Sequence, residues 1–413
     1  MNQVTDFPLS TAQHDPIAVA RELAESFRTS AVERDRTGGN AKAERDQIRA
    51  SGLLGIWVPK QFGGGDADLP TTLAVIKEIA KADGSLGHIF GYHFSCQTMV
   101  ELFGSEAQQE KFYRGVVNQH WFAGNASSEN NSHVLDWRVS ASPTDDGGYI
   151  LNGTKHFCSG SVDSDQLLVF GVIQDDPERL GSVVAALIPT RREGVQVNED
   201  WNAIGMRQTD SGSTVFTNVR IHPDEVLGAA NALVEAFVTG NRGSLWTPVT
   251  QLIFSFLYLG IAEGALAEAL EYTRTQSRPW TPAGVQSVTA DPYIIARYAE
   301  FAVQLQAANA AAREAAQALQ KAWDLGDAIT PAQRGELMVQ VSGVKVLATR
   351  VALDITSGAF ETMGARSTQA KYGFDRYWRN VRTHTLHDPV SYKLHDVGNH
   401  ALNGAFPVPG FTS

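Results

Sequence analysis

Apolar residues recur at helical spacing through the first third of the chain. Ile17, Ala20, Leu23, Ala24 and Phe27 form one stripe, which predicts a helix over 16–36. Residues 42–51 continue in the same style. Residues 52–59 read as an extended or loop passage closed by Gly63-Gly64-Gly65. A second helix is predicted over 71–81, with Pro70 near its start. Asp83-Gly84 interrupts it, and Ser85 opens an apolar helix that runs to about Phe103. Between about 121 and 227 the pattern shortens. Residues 149–151, 166–173, 182–189 and 215–221 read as strands, and Asp145-Asp146-Gly147-Gly148 as a hairpin turn. Helices return from Asn231. Long Ala-, Leu- and Glu-rich stretches over 262–276, 293–325 and 331–363 suit an antiparallel bundle. The intervening 279–291, with Pro, Gly, Ser and Thr, reads as a mobile loop.

The order helical, β, helical predicts an α+β chain in three parts: an N-terminal helical domain over 1–120, a central β domain over 121–228, and a C-terminal helical bundle with tail over 229–413. Its 413 residues suffice for that many units, and 43% hydrophobic with 19% charged residues suits a large core. The formal net charge of −11 argues against a nucleic-acid partner and against an anionic membrane surface. No unbroken run of about 18 apolar residues occurs, so no membrane span is expected. The start, Met1-Asn2-Gln3-Val4-Thr5-Asp6, lacks the basic and apolar parts of a signal peptide. Two distant cysteines, Cys96 and Cys158, make neither a disulfide framework nor a zinc site, so no metal is expected and a reducing cytoplasm fits.

The chemistry concentrates in a few segments. Asn152-Gly153-Thr154-Lys155-His156-Phe157-Cys158-Ser159-Gly160 lies in the β-rich middle. It resembles the G-x-K-x-W-I-T-N segment of the acyl-CoA dehydrogenase superfamily, in which the aromatic packs beside the flavin and the hydroxyl residue hydrogen-bonds the ring. Phe157 and Ser159 take those two places. Upstream, Gly124-Asn125-Ala126-Ser127-Ser128-Glu129-Asn130-Asn131-Ser132 stands where the superfamily has a T-E-P-x-x-G-S-D style of segment, with Asn130 in place of the proline. Asn125 and Ser128 offer groups to a flavin edge. A flavin phosphate needs cationic partners. Arg278 and Arg366, each in a region where the superfamily binds phosphate, often from a neighbouring subunit, are the candidates. The implied fold is acyl-CoA dehydrogenase-like, with a central β-barrel domain and a C-terminal four-helix bundle.

A dehydrogenase of that superfamily removes a proton with a carboxylate base. No Glu follows Glu361, and residues 236–262 contain neither Asp nor Glu. Asp388 precedes a proline at a predicted helix start, where capping is its natural task. The stretches Ala82-Asp83-Gly84-Ser85-Leu86-Gly87-His88, Gly91-Tyr92-His93, Ala203-Ile204-Gly205-Met206-Arg207-Gln208-Thr209-Asp210-Ser211-Gly212-Ser213, Tyr377-Trp378-Arg379-Asn380-Val381-Arg382-Thr383-His384 and His387-Asp388-Pro389-Val390-Ser391-Tyr392-Lys393 are instead similar to the superfamily's FMNH2-dependent, sulfur-oxidising monooxygenases. The likeness covers nearly the whole chain. It implies reduced FMN supplied by a separate NADH-dependent flavin reductase, O2 as cosubstrate, and oxygen transfer from a C4a-hydroperoxyflavin to the sulfur of dibenzothiophene, giving sulfoxide and then sulfone. It also implies a homotetramer.

Sulfur is already nucleophilic, so no substrate proton has to be removed. The site must hydrogen-bond the activated oxygen, supply a proton and exclude water. His88, Ser159 and His387 are assigned there, with Tyr92 and Asn125 as further donors. Phe90, Tyr92, Phe157 and Trp201 are the expected walls of a slot for a planar substrate. His93, His133, His384 and His395 carry no assigned role. The loops 130–137 and 276–291 are expected lids. The competing readings are a monooxygenase acting on another aromatic such as indole, an FAD-dependent acyl-CoA dehydrogenase, and a silent scaffold.

Overall fold

The computed structural model describes residues 15–130, 137–175 and 181–413. The first part is helical: α1 (Pro16–Arg28), α2 (Ala31–Thr37), α3 (Lys42–Ala50), α4 (Leu69–Ala82), α5 (Gly84–Phe103) and α6 (Glu106–Gln119). The single helix expected over 16–36 breaks in two. Thr29 Oγ1 donates to the Ser26 carbonyl at 2.7 Å and Ser30 Oγ accepts from Arg34 Nε at 2.9 Å, local bonds that compete with helix continuation. Asp83 starts α5 by accepting from Ser85 N and Leu86 N at 2.8 and 3.1 Å.

Helix α5 is buried on nearly every side. Its glycines allow this. A Cβ on Gly87 would stand 2.8 Å from Ala80 Cβ on α4, and one on Gly91 would stand 2.5 Å from Ile253 Cγ2. The close approach fixes where His88 and Tyr92, one turn apart on α5, meet the third part of the chain.

The middle part contains β1 (Ala123–Ala126), β2 (Ser140–Pro143), β3 (Tyr149–Lys155), β4 (Gln166–Val172), β5 (Val183–Pro189), β6 (Val195–Val197) and β7 (Thr214–Ile221). They form one curled seven-stranded sheet in the place of the expected barrel, in the order β1-β4-β2-β3-β7-β6, with β5 paired to β4. β1 and β4 run parallel, whereas β2–β3, β3–β7, β4–β5 and β6–β7 are antiparallel. The predicted hairpin turn joins β2 to β3, with Thr144 N donating to the Gly148 carbonyl at 2.9 Å. Leu151, Leu167, Val169, Ile188, Phe216 and Val219 fill the small core inside the sheet.

The last part holds α7 (Ala232–Thr239), α8 (Trp246–Thr275), α9 (Pro292–Asp324), α10 (Pro331–Met363), α11 (Asp375–His384) and α12 (Val390–Asn403). Helices α8, α9 and α10 pack on one another, and α11 and α12 lie against α10. Helix α8 begins sixteen residues before the expected start at 262. Residues 247–262 are all buried, so this half has no polar face and no period to read. The stretch Arg242–Thr275 has the length and mean hydropathy of a membrane span, although polar residues interrupt its apolar run. It is mostly buried against its neighbours, as a core helix is.

Candidate active site

The residues with chemistry to offer converge on Phe254 of α8. Its ring centroid lies 4.7 Å from His384, 4.8 Å from His387, 5.9 Å from Tyr92 and 6.4 Å from His88. Three elements supply these groups: α5 gives His88 and Tyr92, the end of α11 gives His384, and the turn before α12 gives His387 and Asp388. The His88 and His384 rings meet edge to face at 4.4 Å.

Ser159 joins the cluster from the loop after β3. His88 Nε2 lies 3.0 Å from Ser159 Oγ, which lies 2.8 Å from Ser211 Oγ, itself 2.7 Å from Thr209 Oγ1. Thr209 donates its proton to the Met206 carbonyl at 2.9 Å. Each hydroxyl carries one proton, so Ser211 donates to Thr209, Ser159 to Ser211, and His88 Nε2–H to Ser159. His88 Nδ1 is then an acceptor, and it is buried without a partner among the described residues. Burial, with the nearby His387, pushes the His88 pKa down to about 3. Burial, with His88, His387 and Lys345, takes His384 well below its usual value. Both rings are neutral at pH 7.

The Ser159 loop is held from two sides. Cys158 N donates to the Gly212 carbonyl at 3.0 Å and Gly160 N to the Thr209 carbonyl at 2.8 Å. Fully buried Arg45 of α3 donates to Asp210 Oδ2 at 2.5 Å and to the Gly160 carbonyl at 2.9 Å. Burial is the largest influence on Asp210 and lifts its pKa to about 6 despite that arginine.

The other side of the cluster is a chain of buried charges. Lys345 of α10 donates to Asp388 Oδ1 and to Tyr258 Oη, both at 3.3 Å. Asp388 Oδ1 also lies 3.3 Å from His387 Nδ1, and His387 Nε2 lies 3.4 Å from Tyr92 Oη. Tyr258 Oη lies 2.7 Å from His384 Nδ1. Burial opposes ionisation of Asp388, but Lys345 and His387 outweigh it and hold the carboxyl below its usual range. The capping task expected for Asp388 is therefore not what it does. Pro389 stands at the cap of α12, and Asp388 Oδ1 is committed to Lys345 and His387, while Oδ2 is buried without a partner among the described residues.

Beside Ser159 the surface suits a flat ring with a polar edge. Phe157 adopts φ 56°, a left-handed conformation that costs an aromatic residue about 1–3 kcal/mol. The residue is 51% exposed, with Trp201 edge-on at 6.1 Å. Trp201 is anchored by Nε1 donating to the Met206 carbonyl at 2.7 Å. Asn125 N donates to the Ser159 carbonyl at 3.0 Å, Ser127 Oγ donates to Asn125 Oδ1, and the Ser128 carbonyl accepts from His156 N at 2.8 Å. An uncovered aromatic face with amide, hydroxyl and imidazole groups at its rim fits the isoalloxazine ring of FMN.

The structure thus brings together His88, Tyr92, Ser159 and His387, and sets Asn125, Ser128, Phe157 and Trp201 along the adjoining surface. It does not bring Phe90. That ring is fully buried, edge-on to Phe94 at 4.9 Å, on the opposite face of α5 from His88. Nor does it bring Arg278 and Arg366 to the cluster. Arg366 donates to the Gln276 carbonyl just past the end of α8, and α8 carries Phe254 22 residues earlier, ~33 Å away at ~1.5 Å per residue. Residues 131–136 of the expected lid over 130–137 lie outside the described residues. The expected lid over 276–291 carries two short 3-10 turns, Thr281–Ala283 and Val288–Ala290. His384, Tyr258, Lys345, Thr209 and Ser211 received no role from the sequence. For Lys345 a signal existed: it sits on an apolar stripe of α10 with Val341, Ala348 and Ala352, where an uncompensated charge is out of place.

Comparison with known proteins bears on the same features. Family models match three segments: the acyl-CoA dehydrogenase N-terminal domain over 11–120, the middle domain over 126–219 and the C-terminal domain over 252–392. The chain is 64% identical over 406 residues to a dibenzothiophene monooxygenase of Rhodococcus qingshengii, covering 98% of this chain and 97% of that one. It is 42% identical over 406 residues to the probable FMNH2-dependent monooxygenase SfnC of Pseudomonas putida, covering 98% and 99%. FMN-bound TdsC from Paenibacillus sp. A11-2 superposes with a TM-score of 0.95 at 56% identity, over 97% of this chain and all of that one, and the same protein has been seen with FMN and indole.

Proposed function

This chain belongs to the acyl-CoA dehydrogenase family, and on that premise we propose that it is an FMNH2-dependent monooxygenase that oxidises the sulfur of dibenzothiophene to the sulfoxide and then to the sulfone. The observation that carries the reading is the character of the cluster: neutral imidazoles and hydroxyls beside an aromatic shelf, with the nearby carboxylate of Asp388 already committed to Lys345. An α-proton abstraction needs a free carboxylate, and Asp388, ion-paired and hydrogen-bonded to His387, is a weak base. Transfer of oxygen to a thioether needs none.

Reduced FMN, when bound, supplies the chemistry that activates O2. The protein's residues orient the reactants, exclude water and handle protons. Phe157 and Trp201 would offer the flat faces for ring and substrate, Asn125 and Ser128 would hold the ring edge, and buried Ser159 and His88, whose own protons are already committed, would accept a hydrogen bond from the reacting oxygen's hydroxyl. His387, with its side chain 39% exposed and its Nε2 beside Tyr92, is placed to take a proton from solvent and deliver it to the departing oxygen. Arg278 and Arg366 hold the FMN phosphate. At their distance from Phe254 they serve the site of a neighbouring copy, which fits a homotetramer. The domains are 1–120, 121–228 and 229–413, the setting is the cytoplasm, and the functional partner is an NADH-dependent flavin reductase.

The test supplies purified protein with FMN, NADH, any flavin reductase, O2 and dibenzothiophene. Sulfoxide followed by sulfone is the expected product sequence. Oxygenated indole without sulfoxide moves the substrate assignment to the indole reading. Anaerobic bleaching of bound flavin by an acyl-CoA, with no oxygenation, replaces the reading altogether.

A further inference from the structure

Lys345 touches both halves of the cluster, and its chemistry fixes the protons on two histidines. An ammonium group only donates hydrogen bonds and a carboxylate only accepts them. Lys345 Nζ is 3.3 Å from Tyr258 Oη, so that oxygen is the acceptor and its own proton must go elsewhere. The nearest recipient is His384 Nδ1 at 2.7 Å, with the His384 carbonyl at 3.1 Å. With the shorter contact taking the Tyr258 proton, Nδ1 of His384 is unprotonated, and the neutral ring carries its hydrogen on Nε2, which is buried without a partner among the described residues. On the other side Lys345 is 3.3 Å from Asp388 Oδ1, which accepts from His387 Nδ1 at 3.3 Å. His387 therefore carries a hydrogen on Nδ1, and its Nε2, 3.4 Å from Tyr92 Oη, is the nitrogen that gains or loses the proton.

We propose that Lys345 is a positioning residue that sets opposite tautomers in His384 and His387 and thereby aims the exchangeable proton of His387 at Tyr92. Placement supports this role. Lys345 is 1% exposed, and its Nζ lies over the Phe254 and Tyr258 rings at 4.7 and 4.9 Å. A lysine kept there only for packing would be replaced without loss by an apolar side chain, because a buried ion pair rarely adds net stability. Tyr92 and His88 of α5, Tyr258 of α8, Lys345 of α10, His384 of α11, and Asp388 with Lys393 beside it are the titratable groups around His387.

The functional consequence rests on the monooxygenase reading, whereas the proton positions do not. Neutron diffraction from deuterated, FMN-loaded crystals at neutral pH reads them directly. Deuterium is expected on His384 Nε2 and absent from its Nδ1, and present on His387 Nδ1. Deuterium on His384 Nδ1, or none on His387 Nδ1, overturns the proposal whatever the substrate is. The double variant Lys345→Met/Asp388→Asn removes both charges at similar volume and so avoids stranding one of them. It is expected to bind FMN and dibenzothiophene within about twofold of wild type, to lose at least about tenfold in kcat, and to show mixed tautomers by ¹⁵N spectroscopy of labelled histidine. Wild-type kcat in the folded double variant overturns the positioning role. Deuterium positions as stated in a protein that makes no sulfoxide leave the inference standing and remove the activity.

Discussion

Acidification from pH 7 to pH 5 should destabilise this protein through histidines that fold neutral. His88 and His93 are buried, and desolvation is the first cause of their lowered pKa values, about 3 and about 4. His93 is saturated in its neutral form: its Nε2 donates to the Leu54 carbonyl at 3.0 Å and its Nδ1 accepts from Ala123 N at 3.2 Å. A histidine with a folded pKa below its unfolded value of about 6.5 binds fewer protons when native. Its contribution is complete above pH 6.5 and is lost progressively as pH falls toward 3–4. Between pH 7 and 5 each of the two loses ~2 kcal/mol. His384 is shifted in the same direction and adds to the loss. Asp210, raised to about 6, works the other way, since its native form takes up a proton first, and it returns about 1 kcal/mol. The net loss, ~3 kcal/mol before the share of His384, is a large part of an ordinary folding free energy of about 5–15 kcal/mol. Urea unfolding of flavin-free protein at pH 7, 6 and 5, with fixed protein concentration and ionic strength, measures it. His93→Gln keeps one donor and one acceptor, so it should remove ~2 kcal/mol of the pH dependence. Stability that stays level from pH 7 to 5, or an unchanged slope in His93→Gln, refutes the reasoning.

Ser159→Ala should lower oxygenation at saturating FMNH2 at least about tenfold, ~1.4 kcal/mol of transition-state stabilisation, and turnover equal to wild type with retained flavin affinity removes Ser159 from the mechanism. His387→Ala should cost a similar factor and release more hydrogen peroxide per sulfoxide, and a peroxide yield equal to wild type contradicts its role as the proton donor. Arg366→Ala should weaken FMN binding with little change in saturated turnover. Because Arg366 lies at the far end of α8 from the cluster, mixing Arg366→Ala with His387→Ala chains should restore activity at limiting FMN, where each variant alone is impaired, and no recovery after verified mixing counts against the shared site.

What was legible in the sequence follows from what leaves a pattern. Helices α4, α9 and α10 carry caps and amphipathic stripes and were placed to within about two residues. The first half of α8 was not, because a helix buried on all sides shows no alternation of polar and apolar residues. Strands β1, β2 and β6, with the sequences AGNA, SASP and VQV, are too short to establish a period of two, and only their pairing partners define them. At the site, His88, Ser159 and His387 were readable because they sit in segments that resemble a family. Tyr258 and Lys345 lie inside long helices and acquire meaning only when α8 and α10 press them against α11. Phe90 failed for a related reason. Its sequence neighbours point into the site, but two positions along a helix is half a turn away.

The cluster also suggests how one helical shell turns from proton abstraction to oxygen transfer. A flavin dehydrogenase needs one carboxylate that is free and basic. Here the carboxylate nearest the rings is ionised but neutralised by Lys345, while His88 and His384 are held uncharged by burial. The net charge of the Lys345–Asp388 pair is zero, so an apolar tricyclic substrate meets little unbalanced field. The same pair keeps a hydrogen on His387 Nδ1 and leaves Nε2 to exchange its proton beside Tyr92. Losing the free base and gaining a directed proton are then two effects of a single ion pair. Restoring a free carboxylate would require breaking that pair, which strands a buried charge at about 3–5 kcal/mol, so reversion by a single substitution at Lys345 is expected to unfold the site before it regains a dehydrogenase.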